Sequence, residues 1–421
     1  MKKRTLLISK YVLVFCAAFA ISFQIKAADK APVLRNGNYK FTIHRADGKG
    51  IVFNSLIKDS SGKQIMYIIN GSERLLVDSI IKKNDSVFIE LPFFESGFEA
   101  RINANGNLIG EWVKKYGSRI QTMPFTATFN ETKRFPAIHS PLFNISGRWA
   151  VHFVNHNNKV SKSVGEFNQK GNHFTGTFLN PSGDYRFLEG VVSGDSLYLS
   201  GFDGAHAMLF TAKIDNTNKI SGGSLYSGKQ EHETWTAEKD SKAALPDASS
   251  ETHVKPAAGK LDFTFPDLNG NPISINDKQF KNKVVVIQIL GSWCPNCMDE
   301  TKFISDNYQF YHDKGVEFLG LAYERNTDFN ASVKALQPFK KRFDIKYPIL
   351  ITGVAVSDTL LTKKTLPQID KIKAFPTTLF IDKKGNISKI HSGFDGPATG
   401  AHYTIFKKDF NDIVTRLLNE Q

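Results

Sequence analysis

Two stretches of the N-terminal half run through the same succession of patterns. "GNYKF" from Gly37 is matched by "GRWAV" from Gly147, "RLLVDSIIKKNDSVFIE" from Arg74 by "RFLEGVVSGDSLYLS" from Arg186, and "ANGNLIGEW" by "NTNKISGGS". A repeat of about 100 residues made of short β-branched and aromatic runs, each closed by Gly, Asn or Asp, predicts two similar antiparallel β-units. We place them at residues 29–133 and 144–236, with the Pro-containing segment Arg134–Pro141 between them.

The 421-residue chain is too long for one core, and its pattern changes twice more. Residues 237–258 are polar, with Lys, Glu, Asp, Ser, Ala and Pro, which is linker composition. From Gly259 strands and helices alternate. The hairpin-like "FTFPDLNGNPISI" precedes the apolar strand "KVVVIQIL", suited to cover on both faces, and a helix follows from about Pro295 to Lys314. "VEFLGLAY", the helix "ASVKALQPFKKRF", "YPILI", "TTLFID" and "ISKIHSGF" come next, and a helix from about Tyr403 to Leu418 closes the chain. The expected fold is multidomain: an all-β region of two units, then an α/β layered domain over 259–421.

The N-terminus carries Lys2, Lys3 and Arg4, an apolar run from Tyr11 to Phe23, and Ala27–Ala28 before polar sequence begins. That is the layout of a secretory signal peptide over residues 1–28, and it predicts a periplasmic or cell-envelope protein. Cys16 follows bulky Phe15, which argues against a lipid-modification site; an uncleaved leader would instead leave the protein anchored at the membrane. The net charge of +13 falls to +8 once the five basic residues of the leader are removed. The cations are scattered, and the cluster Lys340, Lys341 and Arg342 fits an exposed helix face, so nucleic acid is not an expected partner.

Beyond the leader only Cys294 and Cys297 remain, in "GSWCPNCMDE", where a buried strand gives way to a helix. The pair is redox-active, metal-binding or incidental. Unpaired N–H groups and the dipole at a helix N-terminus stabilise an anion, so Cys294 is expected to ionise below the ~8.5 of free cysteine and act as nucleophile. Cys297, one turn on, is placed to resolve a mixed disulfide. Zinc would need two more ligands, and His312, His391 and His402 show no ligand spacing; haem attachment would need histidine where Met298 stands. His152 and His156 would share one face of a strand, but without acidic partners they are not assigned as metal ligands. No cofactor is expected beyond the Cys294–Cys297 redox pair.

Over residues 259–421 the motifs "WCPNC", "FPTTLFIDKKG" and "HSGFDGPATG" resemble those of the TlpA-like and ResA-like extracytoplasmic thioredoxins. The resemblance implies a thioredoxin fold in which Pro376 is the cis-proline facing the cysteines and Phe375 borders a substrate groove, with Trp293 and Pro295 beside it. It places the loop of Gly393 and Phe394 next to the site. Glu300 looks like the acidic residue such proteins hold near their cysteines, able to exchange a proton with Cys297. Gln288 stands where cytoplasmic thioredoxins carry a buried Asp and cannot shuttle protons. Each assignment has a structural alternative: a strand-start proline for Pro376, core packing for Trp293, a plain turn for Gly393, a solvated helix carboxylate like Asp299 for Glu300.

The activity so implied is disulfide reduction in exported proteins, with a membrane thiol donor of the DsbD/CcdA type as electron source; the family is often linked to cytochrome c maturation. Oxidase or isomerase direction, a peroxiredoxin-like antioxidant activity, and a binding protein whose β-region carries the function are the rivals. A peroxidatic cysteine would want a Thr-x-x-Cys setting, which "GSWC" does not supply.

Overall fold

The computed structural model describes residues 32–92, 95–116, 119–245, 252–255 and 259–420. The signal peptide expected over 1–28 and much of the linker lie outside the described residues. Nine strands form the first sheet: β1 (Gly37–His44), β2 (Gly50–Ser60), β3 (Lys63–Asn70), β4 (Glu73–Val77), β5 (Ser79–Lys83), β6 (Ser86–Glu90), β7 (Ser96–Ile102), β8 (Leu108–Tyr116) and β9 (Arg119–Phe129). Their order is β4-β3-β2-β1-β9-β8-β7-β6-β5.

The second sheet repeats this plan with β10 (Gly147–Val154), β11 (Val160–Lys170), β12 (His173–Asn180), β13 (Gly183–Asp184), β14 (Leu188–Ser193), β15 (Ser196–Phe202), β16 (Ala207–Asn216), β17 (Lys219–Ser227) and β18 (Glu231–Lys239). Its order is β11-β10-β18-β17-β16-β15-β14-β12-β13, and a further β11–β12 pairing closes it into a ring. The alternation read from the sequence is visible strand by strand. Tyr39, Phe41 and Ile43 on β1 and Trp149, Val151 and Phe153 on β10 are buried, because successive side chains point to opposite faces. Asn84 (φ 57°) and Gly194 (φ 60°) hold equivalent tight turns in the left-handed conformation such residues tolerate.

The copies differ at one place. The five-residue β4 corresponds to a β13 of only two residues, after which Arg186 takes a positive φ of 56° and the chain leaves the sheet. The linker also starts later than its composition suggests: Ala237 pairs with Val151 and is buried, so β18 continues to Lys239 despite the polar residues around it.

The two β-units are packed against each other through apolar and charged contacts. Phe53 stacks on Phe202 at 4.3 Å between ring centres. Arg134, in the connecting segment, donates to the carbonyls of Ile69 (2.6 Å) and Val52 (3.2 Å) and pairs with Glu189 at 3.0 Å. Such a buried cation is tolerable only because nearly every donor is satisfied.

In the C-terminal unit a short hairpin, β19 (Thr264–Pro266) and β20 (Pro272–Ser274), precedes a five-stranded sheet of β21 (Val284–Leu290), β22 (Val316–Ala322), β23 (Ile349–Ile351), β24 (Thr377–Ile381) and β25 (Ile387–Ser392). The order is β23-β22-β21-β24-β25; β21, β22 and β23 run parallel, while β24 and β25 are antiparallel additions. Every residue of β21 is buried, as its unbroken apolar run requires of a central strand. The helices are α1 (Pro295–His312), α2 (Phe329–Arg342), which continues through Pro338, α3 (Leu361–Thr365) and α4 (Ala401–Asn419). Phe303 of α1 meets Phe410 and Phe406 of α4 edge-on at 5.1 and 5.4 Å, fixing both helices on one face of the sheet. This is a thioredoxin-like α/β sandwich behind a mostly β N-terminal region. Among the described residues no helix is long and apolar enough to cross a membrane.

Candidate functional site

Cys294 is the N-cap of α1. Its backbone is extended (φ −105°, ψ 110°), Pro295 occupies the first helical position, and the Cys294 Sγ accepts the backbone N–H of Cys297 at 3.2 Å. Proline costs nothing there because that N–H would be unpaired in any helix. An N–H of the first turn thus points at the sulfur, at the positive end of the helix, an arrangement that stabilises a thiolate. Cys294 and Cys297 are joined as a disulfide with Cα atoms 5.2 Å apart. Cys294 keeps 4% of its surface exposed and Cys297 none, so an incoming sulfur can reach only Cys294.

Opposite the disulfide, the Cys294 Sγ lies 3.4 Å from the Phe375 carbonyl oxygen, and the Phe375–Pro376 peptide is cis. Trp293 donates its indole N–H to the Tyr323 carbonyl at 2.8 Å, and its ring packs on Phe375 at 5.3 Å. Beneath them, Glu300 is fully buried. Its carboxylate accepts from Thr378 Oγ1 at 2.6 Å and Gln288 Nε2 at 2.8 Å, and burial pushes its pKa up to about 7 against the pull of those two bonds. The same Gln288 amide lies 3.4 Å from the Cys297 carbonyl and accepts from Thr301. A proton-accepting group poised near neutrality therefore sits one turn beyond the buried cysteine.

Residues 245–404 match the family model described as Redoxin. The C-terminal region is similar to redoxins of the TlpA/ResA type. The chain is similar to the thiol-disulfide oxidoreductase ResA of Bacillus thuringiensis subsp. konkukian, 30% identical over 125 residues, which is 30% of this chain and 62% of that protein. It is also similar to ResA of Geobacillus kaustophilus, 26% identical over 145 residues, 34% of this chain and 74% of that protein. Among solved structures it is similar to a thioredoxin-family thiol:disulfide interchange protein of Chlorobium tepidum TLS, with 22% identity, a TM-score of 0.30, and coverage of 42% of this chain and 99% of that one. The chain spans about 62% of the length of the first Bacillus relatives it matches, and the Redoxin match begins after the β-region.

The redoxin domain brings Trp293, Cys294, Pro295 and Phe375 to one pocket of about 350 Å³. Gly393 and Phe394 are not among its walls. Phe394 is 2% exposed and packs edge-on against Phe406 at 4.8 Å, so its bulk serves the α4 contact, while the Gly393 N–H donates to the Pro376 carbonyl at 2.9 Å. Glu300 is no solvated helix carboxylate, and neither is Asp299. Asp299 pairs with Arg186 of the β-region at 3.2 Å, and burial raises its pKa to about 7 although the guanidinium opposes that rise. His152 ends up on β10 and His156 in the turn after it, so they do not share a strand face.

Half of the pocket was not legible in the redoxin motifs. Asp184, Tyr185, Arg186, Asp203, His206 and Met208 of the second β-unit form its other side. Arg186 donates to the Pro295 carbonyl at 3.0 Å and pairs with Glu73 at 2.5 Å. Burial weighs against its charge, but Asp299, Glu73, Asp203 and Asp184 outweigh it and raise its pKa. Asp184 accepts the Gly396 N–H at 2.6 Å, and burial raises its pKa to about 6. The only sequence signal was the shortened second copy of the repeat around Gly183–Arg186.

Proposed function

We propose that this protein is a thiol-disulfide oxidoreductase of the cell envelope that reduces disulfides in exported proteins. The observation that carries the reading is the placement of Cys294: N-cap of α1, 4% exposed, bonded to a wholly buried Cys297, and against the Phe375 carbonyl. In the dithiol state the Cys294 thiolate attacks one sulfur of a substrate disulfide, and the other sulfur leaves as a thiolate. Cys297 then loses its proton to the Glu300 carboxylate and attacks the Cys294 sulfur, which re-forms the Cys294–Cys297 disulfide and releases the second substrate thiol. Two electrons pass from the protein dithiol to the substrate. Recharging requires a dithiol donor, for which a membrane protein of the DsbD/CcdA type is the fitting class, and the leader-like N-terminus supports an extracytoplasmic setting.

The direction of flow is set by the potential of the pair. Equilibrating the mature protein in glutathione or dithiothreitol buffers and counting free thiols by alkylation mass shift measures it. A value near about −270 mV supports the reductase; a value near about −120 mV makes the protein a disulfide donor and overturns the proposed direction.

A further inference from the structure

Resting on that reading, the structure assigns the β-region a part in the chemistry: its 180–186 loop and the neighbouring Asp203–Met208 turn are the second wall of the redox pocket. We propose that this wall restricts the enzyme to disulfides carried on extended peptide segments with an apolar neighbour to the cysteine, and excludes disulfides set in a folded protein surface.

The wall is fastened to the residues between the two cysteines. The Arg186 guanidinium holds the Pro295 carbonyl, and the Asn296 side-chain amide donates to the Asp184 carbonyl at 3.1 Å. On the far side Asp184 caps the Gly396 N–H, and Gly393 lies against the backbone of Pro181 and Ser182. Gly183, at φ 137°, passes so close to the Asn296 amide that a Cβ there would overlap it. One β-strand's worth of sequence is spent on this: where the first copy of the repeat forms β4, the second breaks off after Asp184 and crosses to the redoxin domain.

Three consequences follow from the shape. Both residues between the cysteines are already hydrogen-bonded, so a partner cannot lay a flat surface across the start of α1. Cys294 is reached through a pocket of about 350 Å³, near the lower limit of about 300 Å³ for sites that enclose a small ligand. Its lining is mixed: Tyr185 and Met208 from the β-region and Trp293 and Phe375 from the redoxin domain supply the apolar part, while the His206–Asp203 pair (3.1 Å) and Arg325 are polar. Aromatic rings and an adaptable thioether suit an apolar side chain next to the reacting cysteine. A single extended strand fits; a globular surface does not.

His206 and Ser182 are exposed residues of the wall and touch none of the thiol chemistry. The test uses the full mature protein with two probes: an unstructured peptide holding one intramolecular disulfide flanked by Phe, and native insulin. Wild type is expected to reduce the peptide at least tenfold faster in kcat/KM. His206→Trp and Ser182→Trp, which fill the pocket from the β side, are expected to lower the peptide rate at least tenfold while the equilibrium oxidised fraction of the cysteine pair in glutathione buffer stays the same. Circular dichroism verifies each fold, and either folded variant suffices for the test. Equal wild-type rates on the two probes, or folded variants as fast as wild type on the peptide, would overturn the wall and leave the oxidoreductase reading standing. A wild type that exchanges with neither probe overturns both.

Discussion

Glu300 accepts a 2.6 Å hydrogen bond from Thr378, with no surface left to solvent, between the helix that carries the cysteines and the strand that follows Pro376. Burial dominates its titration and raises its pKa to about 7. In the proposed mechanism, the carboxylate that takes the Cys297 proton therefore forms as pH rises through about 7. Release of substrate from the mixed disulfide, followed by stopped-flow, is expected to accelerate over that range in wild type. Glu300→Gln should lose that acidic limb and slow the step by about 100-fold, within the span of a general base. An unchanged profile would remove Glu300 from the proton path.

The same burial makes Glu300 a stability liability at high pH. The folded state holds its proton up to about 7, whereas the unfolded chain releases it near 4.5, so stability is full below about 4.5 and declines as pH rises toward 7. A difference of this size corresponds to about 3 kcal/mol at most. Glu300→Gln keeps the hydrogen-bonding shape without the charge, and its chemical-denaturation midpoint is expected to exceed that of wild type at pH 8 and to match it near pH 4.

Cys294→Ser and Cys297→Ser should separate cleanly. With Cys294 keeping 4% of its surface exposed and Cys297 none, Cys297→Ser is expected to accumulate a mixed disulfide with peptide substrates, visible as an added mass that dithiothreitol removes. Cys294→Ser should form none. Adducts on Cys297 would reverse the assignment of attacking and resolving thiol.

Arg186 faces Glu73, Asp299, Asp184 and Asp203 in a buried cluster that touches both β-units and α1. Replacing it by Met leaves those carboxylates uncompensated, which costs about 3–5 kcal/mol for a buried pair. The loss should be larger at pH 8 than at pH 5, because Asp299 and Asp184 take up protons near about 7 and about 6 and then need no counter-charge. Thermal unfolding of Arg186→Met against wild type at both pH values measures this; equal losses would mean that the cluster does not titrate.

Gly183→Ala places a methyl group on the Asn296 amide and strains a left-handed backbone, and is expected to destabilise by about 1–3 kcal/mol. Asn296→Ala removes the obstacle, so the double variant should recover part of that loss. A double-mutant cycle with no coupling would place the loop elsewhere in solution.

Local pattern was enough to read the repeat, the strand–Cys294–helix junction and the alternation after Gly259, because each depends on residues within a few positions of one another: apolar period, turn residues, a proline at the first helical position. The motif around Cys294 also placed that residue at the start of a helix, since the proline and the N–H of Cys297 belong to the very next residues. Phe394 was misplaced and Asp299 was taken as solvated because their environments come from α4 and from the β-region, far away in sequence. For the same reason nothing local announced Arg186 or Asp184 as neighbours of Pro295 and Gly396, more than 100 positions on. A broken strand in a repeat reads as degeneracy until folding shows what it touches. Burial of opposite charges between domains depends on which surfaces meet, and only the packing of the second β-unit onto α1 decided that the thiol pocket has two walls.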